Sequence, residues 1–166
     1  MKKTNYLSIS LIGLVISIFA SATLANDTTK VSKETTLNNT IPSQYLPIAK
    51  INLGTATSYV FIDKKSVKFH PYNQLIRTYT RVTNYVPALS QTIDGTTVTY
   101  QSKVTQEFVN CDKKEYAEHL VEIYQNPFGT GQLYDSNDLP KRWEATTNNE
   151  KEKQNMIIIC ALPINN

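Results

Sequence analysis

Alternation of apolar and polar positions is the dominant pattern along this chain. In "VTYQSKVTQEFVN", Val98, Tyr100, Val104 and Phe108 fall on one side with Ser102 and Gln106. Thr99, Gln101, Lys103, Thr105 and Glu107 fall on the other. A period of two is what a half-buried antiparallel strand requires. Upstream, "LPIAKINLG" and "TSYVFIDKKSV" are short, β-branched or aromatic runs separated by Gly54-Thr55-Ala56. "HPYNQ" predicts a turn, and "LIRTYTRVTNYV" an extended run to Pro87. Asp94-Gly95 inside "QTIDGTTVTY" is a strong hairpin or loop signal.

Two segments read less simply. In "EYAEHLVEIY", alternation groups Ala117, His119, Val121 and Ile123, whereas helical spacing groups Tyr116, Leu120 and Tyr124. A strand is favoured because the run continues directly from Cys111. "PFGTGQLYDSNDLPKRW" holds turn residues throughout, and "NNEKEKQNMIIICAL" reads as a closing helix. Asn148 or Asn149 can cap it, Glu150 and Glu152 suit its first turn, and Met156, Ile159 and Cys160 share a face. A buried strand is the rival for "MIIICAL". The expected class is α+β: mainly antiparallel sheet of about five to six strands with a C-terminal α-helix.

The beginning of the chain follows other rules. Lys2 and Lys3 precede an apolar run at residues 10–19 and a small-residue stretch with Ala20-Ser21-Ala22, or Ala25 as an alternative end. That is the layout of a cleaved signal peptide, expected over residues 1–25. The run is short for a membrane span, which needs about 20 apolar residues, so no integral membrane segment is expected after cleavage. Residues 26–44, rich in Asn, Thr, Ser and Lys, read as a tether that cannot bury enough surface to offset its ordering entropy. Residues 45–166 remain as a single domain.

Export changes the charge argument. The formal net charge is +3, but residues 1–25 carry two lysines and no acid, leaving +1. A nearly neutral chain lacks the basic face that nucleic-acid binding requires.

It also decides the two cysteines, Cys111 and Cys160. Structural zinc wants several Cys and His ligands at close spacing. Here His70 and His119 are the only histidines, and no pair has ligand spacing. A nucleophilic Cys111 with His119 as base would need an unpaired thiolate outside the cytoplasm. An even cysteine count in an exported chain reads instead as one disulfide, Cys111–Cys160. No metal, no cofactor and no enzymatic constellation are expected.

A binding face is suggested by "LIRTYTRVTNY", where alternation groups Arg77, Tyr79, Arg81 and Tyr85. Tyr59 and Phe61 are expected to extend that face from the neighbouring strand. Tyrosine and arginine suit interfaces, although cross-strand Tyr–Arg packing on a solvated face uses the same pattern. On either reading Arg77 and Arg81 are expected to be solvated, and their charge reversal to leave folding nearly intact.

Several segments, in order, resemble the bacterial surface-adhesin protein E family: "SYVFIDKKSV", "EFVNCDKKEYAEHLVEIY", "FGTGQL" and "MIIICA". The matching positions are Tyr59, Ile62, Asp63, Ser66, Asn110, Cys111, Tyr124, Gly129, Gly131, Leu133, Ile158, Ile159, Cys160 and Ala161. The resemblance implies an antiparallel sheet with a C-terminal helix, the Cys–Cys bridge and frequently a homodimer. It also implies adhesion to host matrix or plasma proteins such as vitronectin and laminin. The family's ligand segment falls around the first cysteine, where this chain offers Tyr100, Lys103, Lys113 and Lys114. The family adhesin is a lipoprotein, whereas no lipid-attachment cysteine follows the apolar run here. The alternative role is a periplasmic structural or accessory module that binds another envelope protein.

Overall fold

The structure, a computed structural model, describes residues 41–164. The expected signal peptide and nearly all of the expected tether lie outside the described residues. Just ahead of the first strand, Tyr45 N–H donates to the Pro42 carbonyl at 2.9 Å, and Lys64 N–H donates to the Gln44 carbonyl at 3.0 Å.

The strands are β1 (Tyr45–Asn52), β2 (Thr57–His70), β3 (Asn73–Ile93), β4 (Thr96–Asn110), β5 (Glu115–Asn126), β6 (Thr130–Asp138) and the two-residue β7 (Glu144–Ala145), followed by α1 (Glu150–Ala161). They form one seven-stranded sheet in sequential order β1 to β6, with β7 pairing the start of β5, and every pairing antiparallel. Sequential order follows from short connections, because antiparallel neighbours need only a turn. Asp94 (φ 47°) and Gly95 (φ 78°) close the β3–β4 hairpin between the partners Ile93 and Thr96. Positive φ at both central positions defines the tight turn that matches strand twist, and Asp-Gly is the pair that tolerates it.

Three sequence expectations change. "EYAEHLVEIY" is a strand, but a bulge interrupts it: Glu118 faces Glu107 and Leu120 faces Gln106, leaving His119 as the extra residue. The alternation therefore slips, and Ala117 and His119 do not share a face with Val121 and Ile123. Residues 127–143 are not all turn. Pro127–Gly129 forms a 3₁₀ turn, but Thr130–Asp138 is strand β6. Its turn-forming residues are tolerated because the strand is at the sheet's edge and largely exposed. Finally, Tyr59 and Phe61 do not extend the Arg/Tyr face. Phe61 pairs with Val82 and Tyr59 with Asn84, whereas Ile62 pairs with Arg81. Directly paired residues share a face, so a one-residue register difference sends the two aromatics to the opposite side.

The sheet's two faces carry different cores. On the first, α1 packs over Ile62, Val67, Tyr79 and Val109 through Ile159, all buried, with Leu46, Ile48, Met156, Ile158 and Leu162 around them. Asn149 caps the helix, its Oδ1 accepting from the N–H groups of Lys151 (3.1 Å) and Glu152 (3.4 Å). Cys111, at the end of β4, is disulfide-bonded to Cys160 near the helix's other end, with Cα atoms 6.0 Å apart. On the second face, Phe61 and Val82 are buried beneath the Pro127–Gly129 turn. Phe128 stacks on Tyr45 with centroids 4.6 Å apart and lies 5.2 Å from the Phe61 ring. Asn84 Oδ1 accepts from Phe128 N–H and Ser102 Oγ accepts from Gly129 N–H, which fixes that turn to the sheet.

Candidate functional site

The Arg/Tyr face of β3 is the seat of the helix. Arg77 donates through Nη1 to the carbonyls of Ile159 (2.8 Å) and Leu162 (2.7 Å), satisfying the orphan acceptors at the C-terminus of α1. Arg81, two positions further along that face than Tyr79, meets the other end of α1: its Nη1 lies 3.1 Å from Glu152 Oε1. Its Nη2 contacts Glu107 Oε1 and lies 3.3 Å from Glu118 Oε1. The Tyr79 hydroxyl donates to Glu107 Oε2, Lys141 pairs with Glu118, and Asn155 Nδ2 donates to Glu152 Oε2. Tyr79 is 4% exposed and Glu107 1%. The expected solvated face is thus covered, and charge reversal of Arg77 and Arg81 cannot be neutral to folding.

The electrostatics follow from this enclosure. Burial drives the Glu107 carboxyl up, Arg81 and the Tyr79 hydroxyl oppose that, and the balance leaves it at about 7. Burial works against the Arg81 charge, but Glu107, Tyr79 and Glu152 outweigh it and hold the guanidinium protonated. For Glu118 burial also pushes up, yet Lys141, Lys103 and Arg81 together hold it below its ordinary value. The cluster is one guanidinium shared by three carboxylates, so it joins β3, β4, β5 and α1 through a single residue.

The remaining sequence candidates separate. Tyr85 and Tyr100 meet edge to face at 5.5 Å, and burial raises the Tyr85 hydroxyl to about 12. Lys103 joins Tyr85, Arg81 and the first turn of α1 around a cleft of about 250 Å³. Lys113 and Lys114 are elsewhere, exposed in the β4–β5 turn that Asn110 Oδ1 organises by accepting from Asp112 and Lys113 N–H groups. Tyr59 is half-buried with the Lys50 ammonium 5.6 Å over its ring, and Phe61 is 1% exposed. The candidates therefore form no single surface. Among the described residues, no group of three or more His, Cys, Asp or Glu could hold a metal ion, and no helix is long and apolar enough to cross a membrane.

Two features were not singled out from sequence. The first is the end of the β3–β4 hairpin. β2 leaves β3 after Val86, and β5 meets β4 only from Ser102, so Leu89–Ile93 and Thr96–Tyr100 pair with each other alone. This ribbon projects past both neighbours, with hydroxyl pairs Ser90–Thr99 (3.2 Å) and Thr92–Thr97 (3.4 Å) along one side. The Asp-Gly turn marked the hairpin, but nothing in the sequence says where neighbouring strands stop. The second is a cleft on the face opposite α1, around Phe108, formed where β2, β3, β4 and β5 lie side by side.

Against this geometry the comparisons with known proteins can be placed. The profile of the surface-adhesin protein E family matches residues 45–161, which run from the first residue of β1 to the last of α1. Crystal form II of Haemophilus influenzae protein E is similar in fold, with a TM-score of 0.58 and 17% identity, covering 73% of this chain and 90% of that one. Protein E from non-typeable Haemophilus influenzae gives a TM-score of 0.58 at 18% identity, over 73% and 78% of the two chains. No curated protein sequence matches the chain. At such identities the structural likeness concerns the fold, and the profile match supplies the relationship. The sheet, the covering helix and the cysteine bridge therefore belong to a member of the surface-adhesin protein E family.

Proposed function

We propose that this protein is an exported, non-enzymatic adhesin that captures host matrix or plasma proteins, vitronectin and laminin among them, at the cell surface. The observation that carries this reading is the family match across the whole described domain, residues 45–161. The contact element we assign is the projecting ribbon Leu89–Tyr100. Its strands have free outer edges, and an exposed edge can add a strand from a partner through main-chain hydrogen bonds. The Arg/Tyr face is excluded from that role because α1 occupies it. A homodimer belongs to the same proposal, since β1 and β6 end the sheet with open edges.

Immobilised vitronectin and laminin, titrated with purified protein lacking residues 1–25, test capture directly. Saturable binding is expected. Deleting the rungs Ser90–Thr99 and Gln91–Val98 shortens the ribbon by two pairs and keeps its alternation. That variant should fold like the parent and bind neither protein. Protease treatment of intact cells should remove the protein, whereas protection would favour a periplasmic partner instead. Light scattering reads the oligomeric state.

A further inference from the structure

Apart from Tyr79 and Glu107, the lining of the cleft opposite α1 takes part in no role described so far. Its volume is about 420 Å³, within the range of small-molecule sites. The register builds its floor: Lys68 of β2 pairs with Thr78 of β3, Thr78 with Phe108 of β4, and Thr80 with Gln106. These five side chains therefore share one face across three strands. Thr80 N–H donates to Ser66 Oγ, but the side chains of Lys68, Thr78, Thr80 and Gln106 make no hydrogen bond or ion pair with any described residue.

The rings of His70, Phe108 and His119 form the wall, and Tyr72 and Trp143 flank it from outside the lining. Phe108 is stacked on His119 at 5.2 Å and meets His70 edge-on at 5.6 Å and Trp143 at 6.4 Å. His70 in turn contacts Tyr72 at 5.9 Å. Tyr72 is 93% exposed and Trp143 43%. Leaving contiguous aromatic surface in water is unfavourable and marks interaction sites. Trp143 and His119 are brought to Phe108 by elements that follow it in sequence, and His119 is held there by the β5 bulge. Bulges commonly re-aim a side chain in this way.

We propose that this cleft binds a carboxylate-bearing sugar ring. An aromatic wall offers flat apolar area to the C–H face of a pyranose, while hydroxyl and amide groups at fixed spacing meet its hydroxyls. Thr78, Thr80 and Gln106 supply those groups from rigid strands. Lys68 is the one side chain with a permanent positive charge in the lining, and the only carboxylate in the lining belongs to Glu107, which is turned away to Tyr79 and Arg81 on the other face; the Asp138 carboxylate, 3.4 Å from His119 Nδ1, lies outside the lining and is largely exposed. Charge complementarity thus selects an acidic sugar over a neutral one. The site lies on the opposite face from α1 and is separate from the ribbon assigned to protein capture.

Trp143, the single tryptophan of the chain, lies outside the lining but 6.4 Å from the Phe108 ring and serves as the reporter. D-glucuronate titrated into the purified protein should change Trp143 emission saturably, with D-glucose at least tenfold weaker. Lys68→Glu with Gln106→Ala should abolish the glucuronate response while circular dichroism and melting stay those of the parent, since both side chains are exposed. The ribbon-shortened variant should respond as the parent does, which separates this site from the adhesin reading. Equal responses to both sugars, no response to either, or an undiminished response in the double variant would each overturn the proposal.

Discussion

Arg81 and Glu152, 71 positions apart, face each other at 3.1 Å between the centre of the sheet and the first turn of the helix. The same guanidinium reaches Glu107 and Glu118 on the next two strands. A buried ion pair is a weak source of net stability, because desolvation consumes most of the Coulomb gain. Breaking one is costly, because the surviving charge stays buried without a partner.

Arg81→Met is accordingly expected to destabilise the domain by roughly 3–5 kcal/mol. Arg77→Glu with Arg81→Glu should leave little folded protein, as it also places a carboxylate against the carbonyls of Ile159 and Leu162. Urea titration followed by circular dichroism measures both. A double variant that melts like the parent would show that α1 does not rest on this face.

The same cluster predicts a pH dependence. The Glu107 carboxyl is raised to about 7 in the folded chain from an ordinary value of 4.5. The folded state therefore holds the proton more tightly, and this contribution is full below pH 4.5 and lost as pH rises through 7. Glu118, held low, acts in the opposite sense and costs stability only on further acidification. Stability should fall from pH 5 to pH 8, with a slope of at most about 1.4 kcal/mol per pH unit. Glu107→Gln should flatten that slope. Thermal melts of parent and variant across this window decide it, and identical slopes would remove Glu107 as the cause.

The bridge between Cys111 and Cys160 spans 49 positions. In the chain-entropy model a loop of this size contributes about 4 kcal/mol by restricting the unfolded chain. Cys160→Ser should lower the melting temperature substantially, and reduction of the parent should lower it by a similar amount. Thiol titration of the denatured, unreduced parent should find none free; two titratable thiols would show that the bridge is not formed.

Gly129 is expected to tolerate no side chain. Its φ is 65°, and a Cβ there would stand 2.7 Å from Val104 Cγ2. Gly129→Ala combines left-handed strain with a clash. It should loosen the turn that carries Phe128 over Phe61 and cost about 1–3 kcal/mol. Gly95→Ala, at φ 78° with open space around it, should cost less. Comparing the two melts isolates the packing part, and equal losses would assign the whole effect to backbone strain.

Much of the fold was legible because its causes are local. β-Branched and aromatic runs gave β2 and the part of β3 up to Pro87, alternation gave β4, and Asp94-Gly95 gave the β3–β4 turn through the φ values that pair permits. Asn148 or Asn149 followed by Glu150 and Glu152 gave the helix start, with Asn149 the cap in the structure, and the cysteine count in a chain read as exported gave the bridge. What local pattern could not assign was which strand face meets which partner. "LIRTYTRVTNY" displays arginines and tyrosines at alternate positions, and by residue type that face belongs to solvent or a partner. It is buried because Glu107, Glu118 and Glu152 arrive from three other elements, and a buried charge is tolerated once it is paired. Register is a relation between strands, so moving Phe61 by one position relative to Arg81 changes its face without changing any residue. The sequence determined β1 to β5, the Asp-Gly turn, the helix and the staple, each fixed by residues within a few positions or by cysteine count, but not β6, whose turn-forming residues hide an edge strand. Only the tertiary structure decided that α1 covers Arg77, Tyr79 and Arg81, and decided the projecting ribbon and the ring cluster around Phe108, because pairing, bulges and charge neutralisation join residues far apart in the chain.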